Sequence, residues 1–385
     1  MNGMIPVFLE MPLANCCGCE ACASACPKRI IQFKEDSEGF RFPSINEDDC
    51  IHCGACTRAC PQLKPASRKI EIRYCYAGYS RNKEIVEKSS SGGIFTHIVE
   101  LFKKKYPQGK FAGVIWSTDY RHTEFYLSDN LEDLNKIRVA KYIQARKKEI
   151  YRQIKNELSK GTPILFSGCP CEVAALVSCL GSIPENLYLI DFVCKGSTSE
   201  KVMREYLNIV AKNKKITSLN LRVVGGPSWI PQWMRITFAN NKTLFKSFYK
   251  TILGKAFRYL QREACYKCKY CGENRYSDLT LGDFHGADPS RKYYNARGTS
   301  IMVANTLKGN ALVEDLKKLC VIENVSYEEI SRKNPRIEHA WAKDPKRDIF
   351  AKKMSEKGLF AAYIKTCSLK IKLITIMNKL FRRPV

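Results

Sequence analysis

The sequence contains no run of 18 or more apolar residues, so no segment is expected to cross a membrane as a helix. Histidine is scarce, with five in 385 residues, and neither G-x-S-x-G nor H-E-x-x-H occurs. Nucleophile-elbow hydrolases and helix-borne zinc proteases are thereby excluded. The first ten residues lack a basic stretch followed by a long apolar one, so no secretory leader is expected. Acidic side chains are also few, 38 against 64 Lys and Arg, for a formal charge of +26. The imbalance is local: residues 1–65 hold six basic and eight acidic side chains, and the remainder holds 58 and 30. Such a surplus favours an acidic partner, an anionic ligand or an anionic membrane surface. Nucleic acid is not expected, because no recognition motif accompanies the charge.

What the chain has in excess is cysteine, 19 residues in all. Eight of them form two runs, Cys16, Cys19, Cys22, Cys26 and Cys50, Cys53, Cys56, Cys60, each followed by proline. Each run reads C-x2-C-x2-C-x3-C-P, the spacing of a protein that holds two [4Fe–4S] clusters. Three thiolates of one run take one cluster and the fourth comes from the other run. Cys16, Cys19, Cys22 and Cys60 would thus hold the first cluster, and Cys50, Cys53, Cys56 and Cys26 the second. Structural zinc also takes four thiolates, but the doubled motif with both prolines favours iron–sulfur. Cys17 reads as a buried non-ligand, and His52 as a neighbour of the second loop. Thiols at metal spacing point to a reducing cytoplasmic setting rather than to disulfides.

Periodicity divides the rest. Residues 1–67 form one unit, with short strands expected at 30–33 and 39–42. A second unit, 70–325, alternates strands (72–79, 113–116, 123–127, 163–166, 187–193) with helices (94–104, 149–158, 172–180), which argues α/β architecture. Three successive strands are expected at 219–224, 233–238 and 243–248, with a turn at 225–227, and a last strand at 300–305 precedes a helix at 309–319. Residues 326–385 read as a basic extension. Within it, 368–385 places Leu369, Leu373, Ile376, Met377 and Leu380 on one helical side beside five basic residues. That pattern suits an anionic membrane interface at the inner face, or a terminal helix docked on the body. The serine–glycine run Ser89–Gly93 precedes the 94–104 helix, where backbone amides and the helix dipole can cradle a phosphate, or simply form an N-cap.

Several segments resemble the beta-subunit family of coenzyme F420 hydrogenases and dehydrogenases. They are Lys88-Ser89-Ser90-Ser91-Gly92-Gly93, Lys141-Tyr142-Ile143-Gln144, Phe166-Ser167-Gly168-Cys169-Pro170-Cys171-Glu172 and Asp191-Phe192-Val193-Cys194-Lys195-Gly196. Cys265-Tyr266-Lys267-Cys268, residues 277–284 and Gly298-Thr299-Ser300 continue the series. The resemblance implies an α+β ferredoxin-like module followed by an α/β flavin-binding domain with additional strands. It further implies FAD, contacted by Ser90, Ser91, Gly92, Gly93, Lys141, Tyr142 and Gln144. A third [4Fe–4S] cluster is implied on Cys171, Cys194, Cys265 and Cys268. Cys171 and Cys194 each follow an expected strand, and Cys265-x2-Cys268-x2-Cys271 has ligand spacing on its own. Cys271, or Cys169 where relatives usually carry threonine, is an alternative ligand. Glu172 and Ala145 also depart from the usual glutamine and serine. Asp278 and Asp283 flank a short apolar stretch and carry no expected metal role.

The sequence therefore predicts an iron–sulfur flavoprotein oxidoreductase that moves electrons between a hydride-type donor or acceptor and [4Fe–4S] clusters. The partner would be a redox protein such as an acidic ferredoxin, or a small electron carrier. The alternative is a non-catalytic subunit that relays electrons to a partner enzyme. No acid, base or other catalytic residue is assigned.

Overall fold

The computed structural model describes residues 6, 11–64, 73–212, 214–224 and 229–367. The junction between the two expected units, the expected turn at 225–227 and the amphipathic tail 368–385 lie outside the described residues. Among the described residues no helix is long and apolar enough to cross a membrane.

The architecture is mixed α/β, with three sheets among the described residues. In the N-terminal module, β1 (Gln32–Glu35) pairs antiparallel with β2 (Arg41–Ser44) between the two cysteine loops. The main sheet has nine strands. They are β3 (Tyr74–Ser80), β4 (Lys110–Trp116), β5 (Thr123–Ser128), β6 (Ala145–Arg146), β7 (Ile164–Gly168), β8 (Leu187–Phe192), β12 (Leu279–Asp283), β13 (Ser300–Ala304) and β14 (Cys320–Asn324), the intervening numbers belonging to a separate sheet. Their spatial order is β14-β3-β13-β12-β8-β7-β4-β5-β6. The centre, β12-β8-β7-β4, is parallel, and antiparallel strands flank it. β7 is buried at every position, as a parallel strand covered on both faces requires. The separate antiparallel sheet orders β11 (Thr243–Ser247), β10 (Trp233–Phe238) and β9 (Ile216–Val223).

Helix Ile94–Lys105 buries Ile94, Ile98, Val99 and Phe102 against the sheet, the face that its apolar spacing presents. Each such side chain contributes about 1.5–3 kcal/mol on burial. Residues 141–144 make an isolated parallel bridge, Ile143 to Thr198. Within the expected basic extension 326–385, the described residues 327–366 are largely helical. Helix Arg347–Thr366 puts Phe350, Met354, Leu359 and Tyr363 into a core shared with helix Ile252–Tyr259, and Arg347 pairs with Glu38 at 2.5 Å.

Candidate metal and cofactor site

Each N-terminal cysteine run wraps a five-residue helix, Ala21–Ala25 or Ala55–Ala59, that starts after a residue in the left-handed region, Glu20 (φ 60°) or Gly54 (φ 68°). Burial raises the Cys22 thiol well above its ordinary value, and the neighbouring Cys16 and Cys60 raise it further. Burial likewise lifts Cys16 to about 11, with Cys60 among the groups that act on it. Cys19 interacts with Cys22 and is hydrogen-bonded to Cys17. The four thiols expected to share the first cluster are therefore neighbours. Cys26, Cys50, Cys53 and Cys56 line one hollow walled by Ile30, Ile31, Ile45 and Ile51. Thiols give up their protons when they bind a metal, so both sets of four cysteines fit thiolate-ligated iron. Among the described residues no three His, Cys, Asp or Glu side chains are set around a single ion.

A third thiol group forms where the main sheet ends. β7 and β8 are parallel neighbours, with Gly168 opposite Asp191. Cys169 and Cys194 leave the same edge, and their sulfurs share a hydrogen bond at 3.9 Å. Cys265, pushed up to about 12 by burial, feels Cys194 and Cys268. A hydrogen bond with Cys271 holds Cys268 down at about 7. Gly196 permits this approach, since a Cβ there would lie 3.0 Å from the Cys265 Cβ. Cys171, the second residue of the following helix, is instead raised well above its ordinary value by its neighbour Cys17 and by burial. Cys17, read from the sequence as a buried non-ligand, thus lies close enough to the β7 turn to influence the Cys171 thiol.

The two regions share a buried polar seam. Gln144 Nε2 donates to the carbonyls of Cys17 and Gly18 at 3.0 and 2.8 Å. Arg262, 1% exposed, donates to Gln144 Oε1, Cys16 O and Arg41 O, and stacks over Phe42 at 4.4 Å. Lys147 pairs with Glu172 at 2.8 Å, and its backbone amide donates to Glu20. Arg152 donates to the carbonyls of Ala23, Ser24 and Cys26 at the end of the first short helix. Charge-assisted bonds of this kind contribute about 1.5–3 kcal/mol each, so the seam fixes one cysteine loop against the sheet edge.

The residues expected around a flavin divide into two groups. Gln144 is engaged at the seam. Lys141 Nζ donates to the carbonyls of Ile137, Arg138 and Val139, which cap the end of helix Leu134–Ile137. Ser90 Oγ accepts from Ala140 N, Ser91 Oγ donates to Thr299 O, and Gly92 N donates to Ser300 Oγ. Gly93 (φ 83°) opens helix Ile94–Lys105 with no side-chain cap, which leaves first-turn amides for an anion. Tyr142 lies close by, its hydroxyl accepting from Arg222 at 3.3 Å. Ser80, His97 and Glu100 form a hydrogen-bonded row, 2.8 Å at each step, that the sequence reading missed. Ser80 is 2% exposed and its amide donates to Gly92 O, so the row braces the serine–glycine turn and offers no open nucleophile.

Two families of known proteins match the chain. Residues 161–330 match the model for the C terminus of the coenzyme F420 hydrogenase/dehydrogenase beta subunit, and residues 15–63 match that of the 4Fe-4S dicluster domain. No curated protein matches the chain. Among solved structures the chain is similar to one in the xenon-derivatised F420-reducing [NiFe] hydrogenase complex from Methanosarcina barkeri. Identity is 15% and the TM-score 0.48, over 78% of this chain and 92% of that one. The polypeptide is an iron–sulfur electron-transfer protein related to the coenzyme F420 hydrogenase beta subunit, in which a 4Fe-4S dicluster match precedes a match to that subunit's C terminus.

Proposed function

We infer that the chain is an iron–sulfur flavoprotein oxidoreductase with three [4Fe–4S] centres. The observation that carries this reading is the third thiol group, which stands at the sheet edge where Cys169 and Cys194 meet. Cys16, Cys19, Cys22 and Cys60 hold one centre, and Cys50, Cys53, Cys56 and Cys26 another. Cys194, Cys265 and Cys268 supply three ligands of the last. For the fourth, the sulfur contact to Cys194 favours Cys169 over Cys171. The uncapped helix terminus at Gly93 is the group left to hold FAD.

When bound, FAD supplies the exchange of a hydride for two single electrons, and the iron–sulfur centres carry those electrons one at a time. The protein's own part is positional. The seam of Gln144, Arg262 and Lys147 keeps the first cysteine loop against the third thiol group. Apolar side chains beside the N-terminal thiol sets, Ile31 and Ile45 among them, lower the local dielectric.

The engaged state of Ser90, Ser91 and Gly92 favours a second reading, a relay subunit without its own flavin that serves a partner enzyme. A screen of hydride donors under anaerobic conditions separates the two. Bleaching of the cluster absorbance by a hydride donor, lost once the protein is stripped of flavin, supports the flavoenzyme. Bleaching by one-electron donors alone supports the relay.

A further inference from the structure

Arg222, in β9, is 7% exposed. Its Nη1 donates to Asp283 Oδ2 at 2.6 Å and to the Tyr142 hydroxyl, while its Nη2 is buried with no hydrogen-bond partner. An unmet buried guanidinium N–H costs about 1–3 kcal/mol, so its retention needs a reason. The surroundings supply one. The guanidinium lies 6.0 Å from the Trp229 ring, and Trp229 stacks on His285 with centroids 6.1 Å apart and planes at 19°. The Trp229 indole N–H donates to Ser90 O at 3.3 Å, which ties the stack to the serine–glycine turn. Gly298 (φ 143°) allows this convergence, since a Cβ there would stand 3.0 Å from Ser91 and 3.2 Å from Trp229 Nε1.

Charge around the stack is unbalanced. Lys195 Nζ faces the rings of Tyr249 and Trp341 at 5.9 and 5.6 Å, and among the described residues it forms no ion pair. Arg336 also stands here, its Nη2 donating to Lys195 O, but it faces the thiols of Cys194, Cys265, Cys268 and Cys271, whose ligand charge would balance it. Arg222 and Lys195 are left with the single carboxylate of Asp283. A surplus cation, an orphaned donor and stacked aromatic faces together describe a receptor for an anion attached to a planar ring.

We propose that Arg222 and Lys195, beside the Trp229–His285 stack, bind the phosphate of a ring-bearing phosphoester next to the third thiol group. The proposal rests on the flavin reading for its role in turnover, but not for its existence. Two sources share this chemistry, the flavin cofactor and a nucleotide-like hydride carrier.

The test uses the full chain purified anaerobically, with iron content as the control for folding, and inorganic pyrophosphate as the probe in calorimetry. Arg222→Met is expected to weaken pyrophosphate binding by about tenfold or more, and Arg222→Lys to recover part of the loss. Because Arg222→Met strands Asp283, Lys195→Gln is measured too; it leaves that pair intact and is expected to weaken pyrophosphate binding several-fold. FAD affinity that falls with pyrophosphate affinity while riboflavin affinity holds assigns the phosphate to the flavin. FAD affinity that holds while pyrophosphate binding is lost assigns it to the second ligand. Unchanged pyrophosphate affinity in iron-complete Arg222→Met, or in Lys195→Gln should the first variant not fold, overturns the proposal. A wild-type protein that binds pyrophosphate through Arg222 yet never binds flavin sinks the flavin reading and leaves this site standing.

Discussion

The sulfurs of Cys169 and Cys194 stand 3.9 Å apart at the ends of two neighbouring parallel strands, whereas the Cys171 thiol is influenced most by Cys17 in the other module. This division makes an unequal pair of variants. Cys169→Ser is expected to lose about four iron atoms per chain, and Cys171→Ser to keep them, because one cubane leaves as a unit. Iron and sulfide analysis of the two proteins decides it. Loss from Cys171→Ser alone would return the fourth ligand to Cys171.

Arg262 joins Cys16, Arg41 and Gln144 while 1% exposed. Arg262→Ala leaves those acceptors without their donor inside the seam. Unfolding is expected to become easier by about 2–4 kcal/mol, read from denaturant titration of the anaerobic protein. A change below about 0.5 kcal/mol, the level of ordinary surface positions, would mean the seam does not hold the modules together.

Gly18 lies in the left-handed region (φ 66°), and a Cβ there would fall 2.1 Å from Gln144 Nε2. Gly18→Ala is therefore strained twice, by backbone conformation and by displacement of Gln144 from its two carbonyls. The expected result is a lower melting temperature together with loss of iron from the first centre, while Gly161→Ala, whose Cβ meets nothing within 4 Å, keeps its iron. Equal iron in both variants would contradict the packing described.

Burial lowers the Lys141 ammonium from 10.5 to about 7. Its folded pKa lies below its unfolded one, so between about pH 7 and 10.5 the unfolded chain binds more protons and stability rises with pH. Below pH 7 both states are protonated and the full cost of burying the charge remains. Lys141→Met is expected to flatten that rise, measured by denaturant unfolding at pH 7, 8.5 and 10. An unchanged slope would show that the three carbonyls around Nζ offset the burial.

The cysteine loops were legible because cluster ligation demands fixed short spacings, and helix Ile94–Lys105 because one face must be apolar. Strand β7 showed itself as an uninterrupted apolar run. The seam was not legible: Gln144 meets Cys17, and Arg262 meets Cys16, across more than a hundred residues, a separation with no local signal. Lys141 and Gln144 resembled cofactor contacts by position, yet the fold employs both on backbone carbonyls. Arg222 and Trp229 carried no motif at all. Helix Arg347–Thr366 escaped notice because Gly358 (φ 80°) breaks its apolar period.

The central claim, three iron–sulfur centres and a flavin in one polypeptide, is tested most directly by anaerobic purification with iron, sulfide and released flavin counted per chain. The account predicts about twelve iron atoms and one FAD. About eight iron atoms with no flavin after reconstitution would contradict it and leave a two-centre electron carrier.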